Sequence, residues 1–187
     1  TPGIGSDPRE RPVVALSVYL LVFRLVHIAA GVAWAGSLFM FVVFVQPSSA
    51  AIAPAGAPFM AELLGKRRLV DRIIAMGALT VAGGLLLYWH DWQAYGSLGD
   101  FAGSAFGTAI TVGAVASLAA LAIGVFATRP NVMRLLAIGR RAAEAGGPTR
   151  EQAAEMGGVQ ERLKVLARAS LALLAVAVFA MATARYW

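Results

Sequence analysis

The chain has 187 residues, of which 59% are hydrophobic and only 14% charged, with a formal net charge of +6 and a mean hydropathy of +0.71. This balance excludes an ordinary water-soluble domain and places the chain in lipid. The absence of cysteine excludes disulfides, covalently attached c-type haem, thiolate zinc sites and cysteine-ligated iron–sulfur clusters within the chain.

The opening "TPGIGSDPRERP", residues 1–12, reads as an extended tail. From residue 13 onward a single four-span transmembrane domain is expected. A bilayer crossing takes about 20 apolar residues, and the runs 13–45, 69–89, 108–127 and 165–184 supply it. The first is longer than one crossing requires. "QPSSAAIAPAGAP", Gln46 to Pro58, carries no charge and three prolines, which predicts irregular backbone near the membrane surface. After the third span, Pro130 is expected to end the helix. Asn131 then caps a short helix on the membrane interface, with Val132, Leu135, Leu136 and Ala143 along its apolar face. Gly146, Gly147 and Pro148 stop it, and Thr149 with Gln152 has capping-box spacing for another short helix. Small residues recur at helical spacing, Gly113, Ala116 and Ala120 in span three and Gly77, Gly83 and Gly84 in span two. In lipid such stripes let helix backbones approach closely. The expected fold class is all-α: an integral membrane four-helix bundle with short interfacial helices.

All basic residues except Arg9, Arg11, Arg24 and Arg185 fall between spans one and two, or between spans three and four and at their edges. The positive-inside rule makes both connections cytoplasmic and turns both termini outward. This asymmetry serves topology and attraction to anionic lipid; no aromatic-interleaved basic groove suggests a nucleic-acid partner.

The ionisable residues inside the first span carry the chemistry. Arg24, His27, Gly31 and Trp34 recur at offsets of three, four and three, on one helical face. An arginine at this depth costs about 2.5–3.5 kcal/mol on insertion scales, so such groups face the bundle or a polar cavity. The second histidine, His90, sits near the outward end of span two among Tyr88, Trp89, Trp92 and Tyr95, an interfacial aromatic belt. Imidazoles across a bundle hold haem b without cysteine, and a propionate edge wants a cation near the surface, where Arg24 stands. Equally, His27 can hydrogen-bond a neighbouring helix, Arg24 can extend outward to water, and His90 can lie at the surface beside Asp91.

The spacing R..H...G..W.G, carried by Arg24, His27, Gly31, Trp34 and Gly36 and followed by "FVQP" at Phe44 to Pro47, resembles the first membrane helix of a group of small bacterial membrane proteins. The group includes the copper-resistance CopD-like proteins, the membrane domain of cytochrome-linked urate oxidase and HemJ-type protoporphyrinogen oxidase. The closing "MATARYW" is similar to endings in the same group. The resemblance implies a haem-b-type bundle in a bacterial cytoplasmic membrane, with His27 as the matching histidine and Trp34 packed on the macrocycle. "WAGSLFMFVVFVQP" lacks the arginine and second histidine of the HemJ-type helix, which argues against porphyrinogen oxidation. The six methionines form no cluster for Cu(I).

Two functions follow. One is a haem-b-binding redox or electron-transfer membrane protein, with metal ligation by His27 and His90 and with Arg24 and Trp34 in cofactor binding. The other is a non-catalytic accessory subunit, partnered by lipid and by other subunits of a membrane complex.

Overall fold

The computed structural model describes the backbone of residues 10–186 and the side chains of residues 18–186. Residues 1–9 of the expected tail lie outside the described part, and residues 10–12 are already helical. The chain is all-α. Four helical stretches, Val18–Ala51, Leu69–Gln93, Ala105–Glu144 and Arg150–Tyr186, are long and apolar enough to cross a membrane.

The first stretch comprises α1, Glu10–Met40, a widened π-turn at Phe41–Val45, and α2, Gln46–Ala51. It bends back through α3, Gly56–Ala61, and a second π-turn, Glu62–Lys66, into α4, Leu69–Gln93. The segment expected to be irregular is therefore a helical hairpin. Pro47 sits at the start of α2 directly after the π-turn, where the widened turn accommodates a ring that would clash with the preceding turn of a regular helix. Gly56 closes the hairpin because it lies so near the Ser49 carbonyl that a Cβ would overlap it.

The same device overturns a second expectation. Pro130 does not end the third span: α6, Ala105–Ala122, runs through a π-turn, Ile123–Thr128, directly into α7, Arg129–Glu144. Asn131 does not cap a separate interfacial helix; its side-chain amide donates to the Ala127 carbonyl at 2.8 Å. The Thr149–Gln152 capping box forms, and it starts α8, Arg150–Thr183, rather than a short helix. At 1.5 Å per residue the 40 residues of Ala105–Glu144 extend about 60 Å, twice a hydrocarbon core of about 30 Å. The α7 helix and the first half of α8 thus project beyond the membrane as an antiparallel pair.

Two apolar cores result. Trp34, Leu38, Ala120 and Leu174 join α1, α6 and α8 within the spans. Leu64, Val132, Val159 and Leu163, with Met60, Leu135 and Leu136 against them, join the α3 turn to the projecting pair. The Arg129 guanidinium reaches Asp71 at 2.8 Å and Arg68 reaches the same carboxylate at 2.9 Å, so the two basic connections lie at one end of the bundle. Glu62 on this end has its carboxyl held below the usual range, chiefly by the hydrogen bond from Lys66. The opposite end is aromatic. There α5, Leu98–Gly103, buries Phe101 completely, with Tyr88 and Tyr95 edge-on to it at 5.0 and 5.1 Å.

Candidate functional site

The helices α1 and α4 pack along a line of residues that α1 presents every three to four positions. His27 lies over Gly83 and Gly84: a Cβ on Gly84 would stand 2.8 Å from the imidazole Cε1, and one on Gly83 would stand 3.3 Å from the His27 Cβ. Next comes Gly31, facing Thr80. Trp34 follows, 4% exposed, its indole so close to Gly77 that a Cβ there would meet it at 2.8 Å. The glycines of α4 thus make room for two flat side chains of α1, which explains why small residues stand opposite large rings.

His27 Nδ1 donates to the Thr80 carbonyl at 2.7 Å. That carbonyl is an acceptor only, so Nδ1 carries a proton. The Thr80 hydroxyl is itself engaged, donating to the Met76 carbonyl at 2.8 Å. Nε2 has no hydrogen-bond partner among the described residues, and no fully buried side-chain nitrogen or oxygen among them goes unpaired. The free nitrogen is therefore reachable from outside the packed interface. One turn towards the aromatic end, Arg24 is exposed and makes no ion pair among the described residues.

The other two expected residues lie further along the two helices. His90 is six residues beyond Gly84, about 9 Å further along α4, with its side chain 42% exposed and Nδ1 3.3 Å from Asp91 Oδ1. Trp34 is seven residues from His27, about 10 Å deeper, and its ring is fully used against Gly77 and the core. Among the described residues no group of three or more histidine, aspartate or glutamate side chains converges as a metal site. The space around Trp34 is a cavity of about 60 Å³ lined by Leu38, Ile73, Ala120 and Ser170 among others, without a histidine.

Two features had no clear sequence signal. The carbonyl that orients His27 belongs to the backbone, and any residue at position 80 would supply it. The second polar bridge of the spans joins α4 to α6: the Thr111 hydroxyl donates to the Gly107 carbonyl at 2.7 Å and accepts from Tyr88 at 2.9 Å.

No family model matches this chain, and neither the curated proteins nor the solved structures offer a match.

Proposed function

We propose that the chain is a haem-b-binding integral membrane protein with a redox or electron-transfer role, and that His27 alone supplies the axial nitrogen from this polypeptide. The observation that carries this reading is the split use of the imidazole. A ligating histidine commonly gives its second nitrogen's proton to a carbonyl, which fixes the ring and raises its basicity. Here Nδ1 is spent on Thr80 and Nε2 has no hydrogen-bond partner among the described residues, within a helix apolar enough to span a membrane.

The fit to a haem is partial. His27 and Arg24 suit an iron and a surface-facing propionate in the order they occur. His90 lies six residues beyond Gly84 at the surface beside Asp91, and Trp34 is packed on Gly77. The chemistry supplied by such a group is one-electron transfer between ferric and ferrous iron. Thr80 holds the imidazole in the ligating tautomer, Gly83 and Gly84 set its position, and Arg24 contributes charge. The excess of arginine and lysine at one end supports placing that end in the cytoplasm, and the resemblance of the first helix supports a bacterial inner membrane.

A second reading is favoured by a different observation. The spans leave large apolar side chains exposed, among them Val32, Val115, Phe126, Val165 and Phe179, as expected of a non-catalytic accessory subunit that presents apolar helices to other subunits. The visible spectrum of the purified chain separates the two. On the haem reading the parent shows a Soret band, His27→Ala loses at least nine-tenths of the pigment, and His90→Ala keeps it. A colourless parent, or an unchanged pigment in His27→Ala, overturns the haem reading.

A further inference from the structure

The conspicuous glycine of the first helix that packing does not explain is Gly36. A Cβ built there meets nothing within 4 Å, so no neighbouring helix requires its small size. Yet a glycine inside a helix is less favourable than an alanine. What Gly36 does is form the floor of a laterally open groove of about 470 Å³. Its walls include Val32, Met40, Phe59, Leu63 and Leu69, apolar side chains of which Val32, Met40 and Phe59 are 69%, 52% and 53% exposed. The α3 side of the hairpin forms the far wall.

We infer that this groove seats one acyl chain of an anionic phospholipid from the leaflet at the basic end. Its length along α1, from Val32 to Val45, is about 20 Å at helical rise. One leaflet of hydrocarbon is about 15 Å deep, so the groove accommodates a single chain running parallel to the helix. No charged residue occurs between Arg24 and Glu62, so the walls carry no ion for the lipid to displace. At the mouth, Lys66, Arg67 and Arg68 follow the α3 turn with side chains 84%, 69% and 67% exposed. Lys66 and Arg67 share the single carboxylate of Glu62, each at 3.2 Å. Asp71 is shared by Arg68 and Arg129. Cations outnumber acids at the place where the headgroup phosphate of such a lipid lies, and phosphate binds exposed basic residues of this kind.

The test is native mass spectrometry of the whole chain released from nanodiscs of phosphatidylglycerol or of phosphatidylcholine with matched acyl chains. The expected parent retains one lipid, preferentially phosphatidylglycerol. Gly36→Leu places a branched side chain in the groove from a position whose Cβ meets nothing within 4 Å, and lowers retention of both lipids about tenfold, the equivalent of roughly two buried methylenes. The double variant Lys66→Gln, Arg67→Gln abolishes the preference for phosphatidylglycerol and leaves phosphatidylcholine retention as in the parent. Should Gly36→Leu fail to fold by circular dichroism, Val32→Trp blocks the same groove from an exposed position and carries the same expectation. Equal retention in the parent and the groove-filling variant overturns the inference. So does a polypeptide that co-purifies stoichiometrically with the parent and is lost from Gly36→Leu, since the groove then seats a protein helix.

Discussion

The α1–α4 and α6–α8 interfaces are both built on small residues, but they put them to different use. On α6 the buried positions include Gly113, Ala116, Ser117 and Ala120, and on α8 they include Ala167, Ser170, Leu174 and Ala177. Small side chains on both helices bring the backbones together, and the one large group over Gly113 is the flexible Met181. On α4 the small residues stand opposite rings: Gly77 under Trp34, Gly83 and Gly84 under His27. The first arrangement maximises backbone contact. The second positions planar side chains, and only the second contains an imidazole. Close backbone packing and the placing of an imidazole therefore draw on different parts of one bundle.

The largest expected effect comes from the residue where the two interfaces meet. Trp34 touches Gly77 of α4 and belongs to the cluster with Ala120 of α6 and Leu174 of α8. Trp34→Ala is expected to cost about 3–5 kcal/mol through the cavity it opens, read as lost resistance to thermal unfolding in detergent. A loss below about 1 kcal/mol contradicts its place in both interfaces.

A matched pair of smaller changes sharpens the comparison. Gly84→Ala places a methyl 2.8 Å from the His27 Cε1, and the stiff ring must move. The expected cost is about 1–3 kcal/mol, accompanied by loss of pigment as the 2.7 Å bond to Thr80 breaks. Gly113→Ala meets Met181 Cγ at 2.7 Å. Met181 is unbranched and adapts, but the Ala177 backbone carbonyl 3.2 Å away does not, so the cost is about 1–3 kcal/mol while the pigment stays. Equal pigment loss in both variants would show that the two interfaces act as one.

How much of this was legible in sequence follows from the range of each signal. The four spans are, because apolar length is a local property. The capping box at Thr149 and Gln152 is too, since it depends on two residues three apart. The continuation of α6 into α7 was hidden because proline usually ends a helix, and the π-turn that absorbs Pro130 has no composition of its own. The hairpin of α2 and α3 was hidden for the same reason at Pro47. At the candidate site, the face shared by Arg24, His27, Gly31 and Trp34 was readable from spacing. The distance from His27 to His90 was not, because it depends on the register between α1 and α4. That register is set by which glycine lies under which ring. Gly36 was readable as part of a motif, but its exposure on a groove is a property of α3 folding back beside α1.

We propose that this chain offers an iron one nitrogen, Nε2 of His27, because the residues of α4 under that ring are Gly83 and Gly84 and His90 lies six residues beyond them, at the surface beside Asp91. Electron paramagnetic resonance of the oxidised, pigmented chain tests it directly, because one-histidine haem is high-spin and two-histidine haem is low-spin. The account predicts a high-spin signal that is unchanged in His90→Ala. A low-spin signal in the parent that converts to high-spin in His90→Ala would contradict it.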